Sequence, residues 1–372
     1  IGTGMNLTRR HALKSGAGAL TLGGLAGCLD DAAGTQAGFD SAYAAFFALW
    51  DWSQEVAGEQ ATIENPVDYG QLGHGWEPDG DLPREVASTN AFVYLDTPEF
   101  SWAQDLAATL EADYETVAAI DALEGLESEM IESGHDHGHG DEHTEDEHSG
   151  AHEGEEDHHD DHANETEVEG DHHDDHANET EGNDHMDESD VDRGQLDPHV
   201  WVDPVLGQRM VDTIAAGFAD IDPENAETYE ANAAEYNERL ADLDSQYQQL
   251  LTEAERSTVV LATHSSFAYV ETRYDLDIHT VAGISPDAEP DSSEIAETVD
   301  LVDEAEIDVI LYDRFESDRL AETIVQNSTA TATAPVTAGA GTLREWADEG
   351  LGFVEQMEQV TLPAFRQALG AE

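Results

Sequence analysis

The longest regular hydrophobic pattern lies in the second half of the chain. From residue 224 to about 255, apolar side chains recur at steps of three and four, which predicts one amphipathic helix of roughly 45 Å. Asp222 with Pro223 offers a helix-start signal just before it, and Asp203 with Pro204 offers the same signal for a helix that ends near Asp220. The longer helix is long enough to act as a rigid spine between two lobes.

Beyond this spine, short apolar runs alternate with helical patterns. Strands are predicted at 258–263, 278–281, 309–312 and 335–337, and helices at 266–274, 292–305, 318–327 and the C-terminus. Such alternation with short connections predicts a parallel sheet covered on both faces. In sheets of this kind, ligands meet the carboxyl ends of the strands.

The first lobe shows a less regular pattern. Residues 42–56 carry aromatic side chains at helical spacing, 61–67 and 91–95 are strand candidates, and 101–131 is predicted to be helical.

The composition changes abruptly at residue 134. Until about 190 the chain is almost entirely His, Asp, Glu, Gly, Ser, Thr and Asn, and the sequence DHHDDHANETE at 157–167 recurs at 171–181. No core can form from these residues, so a disordered insert is predicted. Its histidines are His135, His137, His139, His143, His148, His152, His158, His159, His162, His172, His173, His176 and His185. Asn164 and Asn178 lie in N-x-T sequons and are glycosylation candidates.

The N-terminal segment resembles an export leader. Arg9 and Arg10 precede an apolar run at 17–27 that is too short to span a bilayer, and the run ends in Leu-Ala-Gly before Cys28. This pattern predicts twin-arginine export, a lipobox, and a lipid anchor on Cys28 at the extracellular face of the cytoplasmic membrane. Because Cys28 is the one cysteine, an intrachain disulfide and a thiolate cluster are excluded.

These shifts predict five segments. They are a signal peptide (1–27), a tether (28–38), an N-terminal lobe (39–222) that contains the insert at 134–190, a linking helix (223–255) and a C-terminal lobe (256–372).

The charge balance is extreme, with 85 acidic against 13 basic residues and a formal net charge of -72. Such repulsion is tolerable in molar salt, where the screening length falls to about 3 Å, so a hypersaline habitat is predicted. Nucleic acids need a basic footprint and are excluded as partners. Polyvalent cations are the natural ligands, and any metal site must use His and carboxylates.

Outside the leader and the insert, four histidines remain: His74, His199, His264 and His279. His264 directly follows an apolar strand, which places it at a carboxyl end. His199 and His74 lie on predicted loops, each beside a Trp and a Pro. His279, inside an apolar run, is assigned to packing or to the surface.

Several of these motifs resemble one known family. DPHVWVDP at 197–204 is similar to the signature of the zinc and manganese family of ABC-transporter solute-binding proteins, and HGWEP at 74–78 resembles its first ligand loop. THSSFAY at 263–269, GISP at 283–286 and SDRLAETI at 317–324 follow in the family's order. The resemblance covers residue 39 to the C-terminus.

The resemblance implies an α/β fold of two parallel-sheet lobes joined by one long rigid helix, with a metal in the interlobe cleft. His74, His199 and His264 carry over as ligands, and an imidazole at the third position favours Zn²⁺ over Mn²⁺. The family's usual fourth ligand, an Asp, would fall near 336–339, where this chain has no carboxylate. Candidates for that position are Glu77, Asp313 or water.

The implied function is capture of Zn²⁺ and delivery to an ABC permease by a monomeric receptor. The insert is expected to collect zinc weakly at many sites. One alternative is a surface zinc sponge, adhesin-like, that acts through the insert, and another is a manganese-type receptor. Three histidines with an open position also describe a catalytic zinc, but the sequence lacks HExxH and a nucleophile motif, so no enzyme is predicted.

Overall fold

Two four-stranded parallel sheets organise the protein. The computed structural model describes residues 38–114, 116–131, 196–282 and 290–371. Within this part, the chain from Phe39 onward forms one unit. The predictions for the leader with Cys28, for the 134–190 insert with its histidines and sequons, and for the GISP motif fall outside the described residues, as does all of the tether but Gly38.

The first sheet has the order β2-β1-β3-β4. Its strands are β1 (Ser41–Ala44), β2 (Thr62–Glu64), β3 (Ala91–Tyr94) and β4 (Ala118–Asp121), and its helices are α1 (Phe47–Ala57), α2 (Leu82–Val86) and α3 (Ser101–Asp113). Because β2 lies on one side of β1 and β3 on the other, the chain reverses direction across the sheet between β1 and β3, and a crevice opens there at the carboxyl ends.

Two long helices follow and lead to the second lobe. Helix α4 (Pro204–Ile221) begins as predicted, because the Asp203 carboxylate accepts from the backbone N–H groups of Val205 and Leu206. Helix α5 (Ala226–Glu253) has 28 residues and is therefore about 42 Å long. It starts later than predicted: the Asp222 carboxylate accepts from the side chains of Asn225 (2.7 Å) and Tyr229 (2.9 Å) instead of capping a helix.

The second sheet repeats the topology of the first, with the order β6-β5-β7-β8. Its strands are β5 (Thr258–Leu261), β6 (Asp277–Thr280), β7 (Val309–Asp313) and β8 (Ala332–Val336). Its helices are α6 (Ala268–Tyr274), α7 (Ser292–Glu304), α8 (Arg319–Asn327), α9 (Arg344–Glu349), α10 (Phe353–Gln356) and α11 (Leu362–Leu369), and a π-helical turn (Met357–Thr361) joins the last two.

Both faces of this second sheet are buried, as the alternating pattern predicted. Val259 and Leu261 of β5 belong to the main hydrophobic core together with Phe365 of α11. Val260, between them, faces a separate core that includes Ala321 and Ile324 of α8. The sheet therefore lies between two helical layers, and its strand ends are the polar part of the lobe.

Two predictions for the first lobe were wrong. The expected helix at 101–131 ends at Asp113 and is followed by β4, which pairs with β3 from Ala91↔Ala118 to Tyr94↔Asp121. The expected helix at 42–56 begins with β1 and becomes helical at Phe47. In both places a short apolar run pairs into a parallel sheet, and its periodicity does not distinguish it from a helix.

The two lobes meet through buried hydrogen bonds. Trp201 Nε1 donates to the carbonyl of Ala338 (2.7 Å), and the Tyr269 hydroxyl donates to the carbonyl of Asp197 (2.8 Å). The Asp51 carboxylate of α1 likewise accepts from the backbone N–H of Phe353 on α10 (2.9 Å). These bonds fix how the sheet edges face each other, and they position the loops described next.

Candidate metal centre

Three buried histidines converge where the two lobes meet. His264 follows β5 by three residues, His199 directly precedes a 3-10 turn (Val200–Val202) that leads into α4, and His74 lies on the loop after β2. The His74 loop packs tightly, since a Cβ at Gly73 would lie 2.3 Å from the Cβ of Phe46. Gly73 therefore allows the close approach that turns His74 inward.

The imidazole rings form a nearly equilateral triangle. The ring centroids lie 5.5 Å (His74–His199), 5.3 Å (His74–His264) and 5.3 Å (His199–His264) apart, and one ring nitrogen of each residue lies within 4.8 Å of the others. All three side chains are buried, and their Nε2 atoms have no hydrogen-bond partner among the described residues. A buried nitrogen without a partner is costly, and three that face one another fit a shared cation.

Two carboxylates orient two of these rings. Asp197 Oδ1 lies 2.9 Å from His199 Nδ1 and also accepts from the His199 backbone N–H (2.8 Å). Glu316 Oε1 makes the corresponding contact with His264 Nδ1. A proton held on Nδ1 by a carboxylate leaves the lone pair on Nε2, the arrangement that metal-binding histidines use.

Electrostatics favour neutral imidazole at His74. Burial lowers the pKa of His74 well below its usual value, and the neighbouring His199 and His264 lower it further. Near neutral pH a proton therefore does not compete for this nitrogen, and neutral imidazole is the form that binds metal.

A cavity of about 580 Å³ borders this site at His74. Its lining includes His74, Glu77 and Glu316, with Phe315 as an apolar wall. The side chains of two acidic residues therefore line a cavity that His74 also lines.

The other predicted residues are not part of the triad. Within the described residues, the cluster of His, Cys, Asp and Glu ligand atoms consists of the three histidines, so Glu77 and Asp313 lie outside it. Burial raises the pKa of Asp313 to about 6, and its carboxylate accepts from the backbone N–H of Phe315 (2.8 Å). His279 lies elsewhere, with Nε2 2.8 Å from the Thr298 hydroxyl.

Glu316 was not predicted from the sequence. It follows β7, and β7 is the neighbour of β5, which His264 follows. The available signal was therefore a carboxylate and a histidine that follow the ends of two adjacent strands.

No helix in the described part of the chain is both long and apolar enough to cross a membrane.

Comparisons with a family model and with curated proteins agree with each other. The model of the ZnuA family, zinc-uptake complex component A periplasmic, matches residues 43–361. The chain is 34% identical over 174 residues to the high-affinity zinc uptake system protein ZnuA of Bacillus subtilis, covering 47% of this chain and 54% of that protein. It is 28% identical over 285 residues to the zinc-binding lipoprotein AdcA of Streptococcus pneumoniae, covering 75% and 46%. The chain thus spans about half the length of these curated relatives.

The fold has solved counterparts. The Zn(II)-bound ZnuA-like domain of Streptococcus pneumoniae AdcA superposes with a TM-score of 0.63 at 23% identity, covering 89% of this chain and 99% of the domain. That likeness establishes the two-lobed α/β fold predicted from the motifs. With the family model matched over most of the length, the chain belongs to the ZnuA family, whose members are the periplasmic component A of zinc-uptake complexes.

Proposed function

We propose that the protein is an extracytoplasmic receptor that captures Zn²⁺ between its lobes and delivers it to an ABC permease. The observation that carries the proposal is the set of three buried Nε2 atoms of His74, His199 and His264, which lack a partner in the described part of the chain. The names of the relatives, among them zinc-binding lipoproteins, support zinc as the cargo. No catalytic step is part of the proposal.

The donor set favours zinc over manganese. Three imidazole nitrogens suit Zn²⁺, whereas Mn²⁺ prefers carboxylate and water oxygens. The fourth position is then left to water, to Glu77 on the cavity wall or to Asp313, whose Oδ1 accepts from the Phe315 backbone N–H.

The location follows from the leader. Arg9 and Arg10 with Cys28 support twin-arginine export and a lipid anchor, and the net charge of -72 supports a hypersaline medium. We infer that the receptor acts as a monomer.

The His-rich insert is proposed to collect zinc for this site. The described residues on its two sides meet: the backbone N–H of Asp197 donates to the carbonyl of Ile131 (2.8 Å), two residues from His199. Zinc held weakly on the insert is thereby tethered beside the cleft, which raises its effective concentration there.

Calorimetric zinc titration in about 1 M salt tests the proposal. The protein without residues 134–190 is expected to keep one tight site per chain, because the triad is complete without the insert. His264→Ala is expected to weaken that site by at least about 100-fold, since a lost ligand should cost more than a lost orienting group. His279→Ala is the control and should bind as the parent does. A zinc sponge would instead lose nearly all binding with the insert.

Glu316→Gln is expected to weaken zinc binding by roughly 10–100-fold, the usual cost of losing the carboxylate that orients a metal-bound histidine. The amide no longer holds the proton on His264 Nδ1 as a charged acceptor does. The exposed Glu345→Gln, on the same lobe, serves as the control. Equal affinity in the two variants would rule out the orienting role of Glu316.

A further inference from the structure

A second cavity opens on the first lobe beside the metal centre. It has a volume of about 530 Å³, within the usual size of small-ligand sites. Trp76 and Trp102 form its aromatic wall, with ring centroids 4.9 Å apart and planes at 71°. The aliphatic side chains of Leu82 and Leu106 complete the apolar part of the lining.

The polar part of this cavity is acidic. Glu77 and Asp105 are exposed and both line it, and none of the described residues that line it is basic. Indole faces attract cations, and carboxylates form charge-assisted hydrogen bonds with guanidinium or ammonium groups. An anion would meet repulsion here, and a purely apolar group would make no use of the two carboxylates. The chemistry therefore fits an organic cation with an aliphatic stem.

The cavity is physically connected to the histidine site. Trp102 Nε1 donates to the carbonyl of Gly73 (3.2 Å), the residue before His74. Trp76 and Glu77 also line the cavity that borders His74. A group bound against these tryptophans would thus rest on the segment that carries His74.

We propose that this aromatic-acidic cavity receives an arginine or lysine side chain of the protein to which the metal is delivered. The inference rests on the proposed receptor function and adds a docking point to it. Charge complementarity selects such a partner, because the chain carries a net charge of -72 and its one lysine is Lys14. The position agrees, since a carrier must present the rim of its cargo site to the protein that accepts the cargo.

The test uses the full chain labelled with 5-fluorotryptophan in 1 M NaCl, where long-range attraction is screened. The ¹⁹F signals of Trp76 and Trp102, assigned with Phe variants, are followed during titration with acetyl-Gly-Arg-Gly-amide. The same peptide with citrulline is the neutral match. We expect the arginine peptide to shift these two signals saturably and to leave the other four tryptophans of the six unchanged. The citrulline peptide should bind at least about fivefold more weakly.

Two variants separate the cavity from general surface charge. Asp105→Asn is expected to weaken the arginine peptide about fivefold, whereas Glu111→Gln, an exposed acid of the same helix outside the cavity, should leave it unchanged. Equal binding of both peptides, equal effects of the two variants, or unshifted Trp76 and Trp102 signals would each overturn the proposal. If free arginine binds as tightly as the peptide, the occupant of the cavity is a small molecule and not a protein side chain. That result would overturn the proposal as well.

Zinc calorimetry on the same samples keeps the two proposals apart. Asp105→Asn should bind zinc as the parent does, because Asp105 lies outside the triad. Tight zinc binding without a peptide response would reject the docking cavity alone. A parent protein without a tight zinc site would reject the receptor function, whatever the peptide does.

Discussion

His74→Ala is expected to raise the dissociation constant for zinc by roughly 100- to 1000-fold. Protein zinc sites contribute about 10–16 kcal/mol in total, so one of three or four ligands accounts for about 3–4 kcal/mol, and 1.4 kcal/mol corresponds to a factor of ten. His74 comes from the first lobe with His199, whereas His264 comes from the second. Loss of His74 therefore leaves one imidazole on each lobe and a cation that bridges them weakly. Competition with a chelator of known affinity measures the change.

The same variant has a second, metal-free readout. The pKa of His74 is well below its usual value in the folded protein, so below about pH 6.5 the unfolded chain takes up a proton that the folded chain does not. The free energy of unfolding of the metal-free parent should then fall as the pH drops from about 6.5. His74→Ala should lack this component, whereas His279→Ala should retain it. If the two variants show the same pH dependence, the burial of a neutral His74 is not supported.

The sequence predicted the second lobe better than the first. In the second lobe, strands such as β5 and β7 are apolar runs bounded by polar or turn residues, and the helices between them have clear starts, such as the predicted Ser292. In the first lobe, β1 runs almost directly into α1, and β4 follows α3 after a short turn. Where two elements join without a polar boundary, periodicity merges them into one.

The histidines of the candidate site could be predicted because few other histidines remained to compete with them. With the leader and insert set aside, four histidines remained, and three stood on motif loops. Glu316 and Asp51 are two acids among 85 acidic residues, and no local pattern distinguishes them. Their importance comes from partners that are far away in the sequence. Glu316 contacts His264, 52 positions away, and Asp51 contacts Tyr236 and Phe353, 185 and 302 positions away. Contacts over such distances are determined by tertiary packing.

Asp51 leads to the largest stability effect that we expect. Its Oδ2 accepts from the Tyr236 hydroxyl (2.8 Å) and from the backbone N–H of Phe353 (2.9 Å), so one buried oxygen joins α1, α5 and α10. Asp51→Ala would leave both donors buried without a partner, at about 1–3 kcal/mol each. We expect a loss of about 3 kcal/mol in the free energy of unfolding at pH 5, measured by urea denaturation with a chelator present.

The pH dependence of this residue gives the sharper test. Burial raises the pKa of Asp51 to about 6, and Glu55 and Glu355 add to the rise, while the two donors oppose it. A carboxyl whose folded pKa exceeds its unfolded pKa stabilises the fold at low pH and loses that contribution as the pH rises through the folded pKa. From pH 5 to pH 7.5 this loss is about 1.4 kcal/mol. The cost of Asp51→Ala should therefore shrink by about that amount at pH 7.5.

Asp51→Asn provides the matched comparison. Asparagine keeps an oxygen for Tyr236 and Phe353 but cannot ionise, so it should cost little at pH 5 and should become the more stable protein as the pH rises toward 7.5. Two results together would show that Asp51 does not titrate near pH 6. The loss in the free energy of unfolding caused by Asp51→Ala would be the same at both pH values, and the stability of Asp51→Asn relative to the parent would also not change with pH. A negligible cost of Asp51→Ala at pH 5 would show that this oxygen does not hold the lobes and the linking helix together.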